Sequence, residues 1–137
     1  MWIIKTSAVF LVLVLTIMGI VTDSNASTIA GENWVQYFKT QYNQYNINPN
    51  SIRREYDGSV TSWVKWEFDK PEDFNGIKVL KIRINTSCEA GRMKSVEAIA
   101  YKPDGSILTA ETNTNELNIK PGTANESTLN YICSHLP

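Results

Sequence analysis

The chain has 137 residues, of which 42% are hydrophobic and 20% are charged, and its formal net charge is −1 at pH 7. A chain of this length is sufficient for one domain with one hydrophobic core. Its near-neutral charge gives no electrostatic basis for binding to nucleic acid or to an anionic membrane surface.

The N-terminus predicts export. Lys5 precedes an apolar run over 8–21, and small side chains come before a cleavage position after Ala26, as in a secretory signal peptide. We therefore predict that residues 1–26 are a cleaved signal peptide and that 27–33 form a flexible leader to a domain over 34–137. Cleavage after Ala30 and an uncleaved anchor are the alternatives, although a membrane span needs about 20 apolar residues.

The cysteines of the chain are Cys88 and Cys133. In an exported chain two cysteines most simply pair with each other, because the compartment is oxidising. Closing a loop of this length contributes about 4 kcal/mol to stability on the loop-entropy model. Neither cysteine lies at the cleavage position, so we expect no lipid anchor and, after cleavage, no stable membrane span.

Six stretches predict strands, because they combine β-branched and aromatic residues with turn residues at their ends. They are 34–38, 42–47, 59–69, 77–88, 92–102 and 107–112. Hairpin turns are predicted at Gly58 and at Gly105, each of which follows an aspartate. The polar stretches 70–76 and 113–121 predict loops.

A change of period near the C-terminus predicts a helix. Thr123 and Glu126 have the spacing of a capping box. Four residues then recur at three- and four-residue steps, as on one helix face: Leu129, Ile132, Cys133 and Leu136. The predicted fold class is α+β, an antiparallel β-sheet of five or six strands with a C-terminal helix packed on it and one disulfide.

Two strands alternate clearly between a buried and a wet face. The predicted buried residues are Val60, Ser62, Val64, Trp66, Phe68, Leu80, Ile82 and Ile84. In the next strand Val96, Ala98 and Ala100 are predicted to share one face, and Ile99 and Tyr101 the other. The sequence therefore predicts a sheet with one face against the helix.

The residues that catalysis or metal binding would need do not occur in suitable patterns. His135 lies three residues from the C-terminus, and the neighbouring Cys133 is predicted to be in the disulfide. Glu67 and Asp69 share a strand face, where carboxylates are more often simply solvated. We therefore predict no catalytic residues, no metal site and no cofactor.

Aromatic and basic side chains on the predicted wet face indicate a binding surface. Trp63 and Lys65 lie on one strand, and Lys81 and Arg83 on the next. Tryptophan and arginine are enriched at binding hot spots. Two interpretations follow: these four residues bind a protein partner, self-association included, or the C-terminal helix covers Trp63.

Motifs in order along the chain carry a family resemblance. They are Trp34-Val35, the segments 45–52, 60–68, 70–71 and 101–105, Cys88, Pro121-Gly122 and the segment 129–133. In this order and spacing the chain resembles the surface-adhesin protein E family of Gram-negative bacteria. The resemblance implies a small antiparallel sheet with a C-terminal helix tied by two cysteines. It also implies a location in the periplasm or on the cell surface, and attachment to host cells or to matrix proteins such as vitronectin and laminin.

We therefore expect an exported, non-enzymatic, adhesin-like binding protein. One alternative is a periplasmic inhibitor of a host enzyme such as lysozyme, acting through the acidic loop 70–75. Another is a carrier of a small apolar ligand in a cavity lined by Trp66, Phe68 and Leu129.

Overall fold

The structure, a computed structural model, describes residues 32–137. The predicted signal peptide and most of the predicted leader lie outside the described residues. The strands within them are β1 Val35–Lys39, β2 Asn43–Ile47, β3 Arg53–Arg54, β4 Val60–Phe68, β5 Val79–Ser87, β6 Arg92–Tyr101, β7 Ile107–Glu111 and β8 Asn115–Leu117. Helix α1 spans Ala124–Ser134, and short 3-10 turns span Pro49–Ser51 and Pro71–Phe74.

The strands form one antiparallel sheet in the order β1-β2-β4-β5-β6-β7, with β3 on β4 and β8 on β6. This confirms the predicted fold class, since six strands lie on the main path and the helix follows them. The prediction of a loop over 113–121 is wrong in part, because β8 lies there. Its three residues pair with the first half of β6, and only Leu117 is half-buried, so the segment shows no alternation.

The two predicted hairpin turns are confirmed and share one geometry. Gly58 and Gly105 have φ values of 86° and 87°, in the left-handed region that favours glycine. The preceding aspartate in each turn, Asp57 or Asp104, accepts hydrogen bonds from the backbone and the hydroxyl of the following serine. These bonds lower the pKa of both aspartates and hold the turns in place.

The core lies between the helix and one side of the sheet, here called the inner face. Its fully or nearly fully buried residues are Ile47, Val60, Val64, Ile82, Ile84, Met93 and Ile132. The predicted alternation of β4 and β5 is therefore confirmed. Two predictions are wrong: that Leu136 continues the buried helix face, and that Val96 shares a face with Ala98 and Ala100. Leu136 lies beyond the end of α1 and is 37% exposed. Val96 lies in a β-bulge opposite Arg83 and Ile84, and it lines a surface cavity with Thr61 and Asn85.

Helix α1 begins as predicted. Thr123 is its N-cap, and the hydroxyl accepts a hydrogen bond of 3.4 Å from the Glu126 N–H. The Glu126 carboxylate accepts from the Gly122 N–H at 3.1 Å, one residue before the position of a standard capping box. The Cys88–Cys133 disulfide joins the last turns of the helix to the end of β5, with a Cα–Cα distance of 5.6 Å.

A chain of hydrogen bonds crosses the interface between sheet and helix. Trp66 Nε1 donates to Tyr37 Oη at 3.0 Å, Tyr37 Oη contacts Thr128 Oγ1 at 2.6 Å, and Thr128 donates to the Ala124 carbonyl at 2.7 Å. Thr128 is fully buried. Burial also raises the pKa of Tyr37 to about 12, because it disfavours the ionised phenolate.

Tyr37→Phe is expected to destabilise the domain by about 1–3 kcal/mol at pH 7, since it leaves the Trp66 N–H without an acceptor. A phenol with a raised pKa stabilises the fold below pH 10 and loses this contribution as the pH rises towards 12. The difference in the free energy of unfolding between wild type and variant should therefore decrease by about 1 kcal/mol between pH 7 and pH 11. Urea unfolding at both pH values measures this.

The matched control is Tyr42→Phe, because Tyr42 is 49% exposed. At both pH 7 and pH 11, this variant is expected to change the free energy of unfolding by no more than about 0.5 kcal/mol. A difference between wild type and Tyr37→Phe that stays constant from pH 7 to pH 11 would contradict this account of Tyr37.

Candidate functional site

The side of the sheet opposite the helix, here called the outer face, carries all four residues predicted to bind a partner. The register pairs Trp63 with Arg83 and Lys65 with Lys81 across β4 and β5. Residues directly opposite each other in a sheet have Cβ atoms about 5 Å apart. The four side chains therefore form one compact block, and each is half-buried.

The backbone beneath this block is fixed by the turn that follows β2. The Trp63 N–H donates to Ser51 Oγ at 2.9 Å, and the Trp63 carbonyl accepts from the Asn48 N–H at 3.1 Å. Asn46 donates its side-chain amide to the Lys65 carbonyl at 3.3 Å. These bonds hold Trp63 and Lys65 on a rigid central strand, which suits a preformed binding surface.

A second aromatic residue, Trp34, lies beside this block. The Nζ atoms of Lys65 and Lys81 lie 5.1 and 5.7 Å from the centre of its ring, and Lys81 Nζ is also 5.5 Å from the ring of Tyr101. Cations within about 6 Å of an aromatic ring are attracted to its face. The sequence prediction omitted Trp34. Trp34 directly precedes Val35, and neighbouring residues of a strand point to opposite faces, so alternation places the two on different faces.

Two of the cations also form ion pairs. Lys65 Nζ lies 3.1 Å from Glu67 Oε1, and Arg83 Nε lies 3.1 Å from Glu97 Oε2. The Lys65 and Arg83 side chains remain 21% and 42% exposed. Such surface pairs contribute only about 0–1 kcal/mol each, so a partner carboxylate can compete for these cations.

The interpretation that α1 covers Trp63 is wrong. Ile132 of the helix packs with Val64 and Ile84, whose side chains point to the inner face. Trp63 lies between Ser62 and Val64 on β4 and therefore points to the other side.

The other side chains considered for catalysis have structural contacts. His135 stacks on Tyr131 with ring centres 3.9 Å apart, and its Nδ1 lies 2.8 Å from the Tyr131 carbonyl. Cys133 is in the disulfide. Within residues 32–137 no three or more His, Cys, Asp or Glu side chains are grouped as metal ligands would be. The same residues contain no helix long and apolar enough to span a membrane.

The regions invoked by the alternative functions contain aromatic contacts, although most residues of the loop 70–75 are exposed. The loop 70–75 contains the 3-10 turn Pro71–Phe74, and Phe74 stacks on Phe68 at 4.0 Å. Trp66 contacts Tyr45 edge to face at 5.3 Å. Three surface cavities lie elsewhere, and none of Trp66, Phe68 and Leu129 lines them.

Comparison with known proteins gives one family and one fold. The family model of the surface-adhesin protein E matches residues 34–134. A crystal structure of Haemophilus influenzae protein E superposes with a TM-score of 0.55 at 16% sequence identity, covering 74% of this chain and 87% of that one. This similarity shows a shared fold. No curated protein matches the chain in sequence.

Proposed function

The chain belongs to the surface-adhesin protein E family, and from this premise we propose that it is an exported, non-enzymatic protein that attaches to a host protein through its outer face. The block of Trp63, Lys65, Lys81 and Arg83, with Trp34 beside it, is the observation that carries the proposal. Host matrix proteins such as vitronectin and laminin are the proposed partners, and the periplasm or the cell surface is the proposed location.

The composition of the outer face supports this role. Half-buried tryptophans offer a large apolar contact area that is already partly ordered, so a partner can cover them at a small entropic cost. The neighbouring cations supply hydrogen-bond donors and attract acidic groups of a partner. Within residues 32–137 the helix packs on the inner face, so it lies on the opposite side of the sheet from the proposed binding surface.

The test is a binding isotherm of the oxidised protein, purified after expression of the full-length chain, on immobilised vitronectin and laminin. Trp63→Ala with Lys81→Glu is expected to weaken binding by at least about 30-fold, because truncation of a hot-spot residue costs about 2 kcal/mol or more. Circular dichroism and the thermal midpoint should show that the variant is folded.

Tyr42→Ala with Lys70→Glu is the matched control. Lys70 Nζ lies 4.5 Å from the ring of Tyr42, so this is a second aromatic–lysine pair, and both residues are exposed at another place on the sheet. The control is expected to bind as the wild type does. Equal binding by wild type and the Trp63/Lys81 variant would show that the outer face is the wrong surface, and no binding by folded wild type would reject these partners.

A further inference from the structure

A groove lies at one end of the sheet, and Arg83 is the one residue of the outer-face block that lines it. Two cavities of about 610 and 490 Å³ lie where β4 begins and β5 ends. They share Asp57, Ser59, Asn85 and Lys94, so they lie side by side across these residues, and the pair is here called the end groove. Cavities that hold small ligands have volumes of roughly 300–1,000 Å³.

The ridge between the two cavities is held rigid by hydrogen bonds. Asn85 Nδ2 donates to Ser59 Oγ at 2.8 Å, and Ser59 Oγ donates to Asp57 Oδ1 at 2.5 Å. The Ser59 N–H also donates to the same carboxylate oxygen at 2.9 Å. The polar groups at the centre of the groove are therefore in place before any ligand arrives, which reduces the entropic cost of binding.

The charged side chains that line the end groove are balanced in sign. Its four cations and four carboxylates are Arg54, Arg83, Arg92, Lys94, Glu55, Asp57, Glu89 and Glu116. Arg92 pairs with Glu116 at 2.8 Å, and Arg83 pairs with Glu97 outside the lining. The charge of Lys94 contributes to lowering the pKa of Asp57, which lines the same groove. The groove thus offers donors and acceptors side by side without a strong net charge.

Apolar anchor sites for a peptide are scarce in the end groove. Val60 and Met93 line it, but they are only 2% and 1% exposed. Leu136, which is 37% exposed, lines the larger cavity and the half-buried Val96 lines the smaller one, so each cavity has one accessible large aliphatic side chain. Grooves that recognise peptides use accessible apolar pockets or an open strand edge. A ligand rich in hydroxyl groups fits better, because each hydroxyl both donates and accepts and can bridge a cation and a carboxylate.

An aromatic ring stands at the rim. Tyr56 lines the smaller cavity and is the most exposed of the large hydrophobic side chains, with a relative exposure of 109%. A tyrosine side chain has only two rotatable bonds, so its exposed ring offers an apolar surface at a small entropic cost. The C–H face of a sugar ring can stack on such a surface.

We propose that the end groove binds an oligosaccharide, with Tyr56 stacked on a sugar ring and Arg54, Lys94 and Glu89 hydrogen-bonded to its hydroxyl groups. Attachment would then use two surfaces, the outer face for protein and the end groove for glycan.

The first step of the test applies the purified protein to an array of immobilised neutral and acidic oligosaccharides. The glycan retained most strongly is then titrated in solution by calorimetry. Tyr56→Ala and Lys94→Gln are each expected to weaken its binding by about tenfold, through loss of stacking and of a charge-assisted hydrogen bond. Trp63→Ala with Lys81→Glu should leave glycan binding unchanged, which separates this site from the proposed protein-binding face.

Tyr42→Ala and Lys102→Gln are the matched controls, since both residues are exposed and neither lines the two cavities of the end groove. They are expected to bind the glycan as the wild type does. The proposal is overturned if no oligosaccharide is retained, or if Tyr56→Ala and Lys94→Gln bind like the wild type. It is also overturned if only acidic glycans bind and 0.5 M salt abolishes their binding, because the site would then recognise charge alone.

Discussion

Replacing both Cys88 and Cys133 by alanine is expected to lower the free energy of unfolding by about 4 kcal/mol, the entropy that closure of this loop removes from the unfolded chain. The disulfide spans 45 residues, including β6, β7, β8 and most of α1. Since domains of this size have a total stability of about 5–15 kcal/mol, the loss is a large fraction. In a thermal melt the midpoint should fall by roughly 15–30 °C.

Dithiothreitol provides the control for this prediction. It should shift the midpoint of the wild type by a similar amount and leave the double alanine variant unchanged. A variant that melts within about 5 °C of the oxidised wild type would show that packing and the Tyr37 hydrogen bonds hold the helix without the disulfide.

Ile84→Ala is expected to destabilise the domain by about 2–5 kcal/mol, because it opens a cavity in a core that cannot collapse around it. Ile84 is fully buried at the centre of β5 and packs in the cluster that joins the sheet to Ile132 of the helix. Urea unfolding of wild type and variant measures the effect.

The same change at Ile107 is the matched control. Ile107 also lies on a strand, β7, but it is 60% exposed. Ile107→Ala should therefore reduce stability by less than about 1 kcal/mol. Equal losses at the two positions would contradict the assignment of the inner face as the core.

The central sheet could be predicted from the sequence because period-two alternation is strong where one face is buried. Val60, Val64, Ile82 and Ile84 fix the faces of β4 and β5, and the register follows from them. β8 escaped prediction because a three-residue edge strand buries too little to create a pattern. The same holds for β3, whose two residues, Arg53 and Arg54, are both exposed.

Local irregularity explains the error at Val96, which was predicted to share a face with Ala98 and Ala100. The β-bulge in β6 shifts the side chain of Val96 relative to strict alternation, and a bulge of this kind depends on the partner strand rather than on local sequence. Thr128 is fully buried although it is polar. Its hydroxyl contacts Tyr37, 91 residues away in sequence, as well as the Ala124 carbonyl, and no local pattern predicts the contact with Tyr37.

The candidate site could be predicted in part. Alternation was sufficient to place Trp63, Lys65, Lys81 and Arg83 on one face, since the two strands are neighbours in the chain. The contribution of Trp34 depends on the position of β1 beyond β2, which brings its ring to two lysines on other strands. The end groove depends on the relative position of two turns and of β6, and sequence alone does not determine that geometry.

The most direct test of the proposed outer-face interface is hydroxyl-radical footprinting of the protein alone and in complex with vitronectin or laminin. Complex formation should slow the oxidation of Trp63 and Tyr101, while Tyr42 should react at the same rate in both states. Unchanged oxidation of Trp63, with protection at Tyr56 or on the helix instead, would contradict the proposal that the outer face binds the partner.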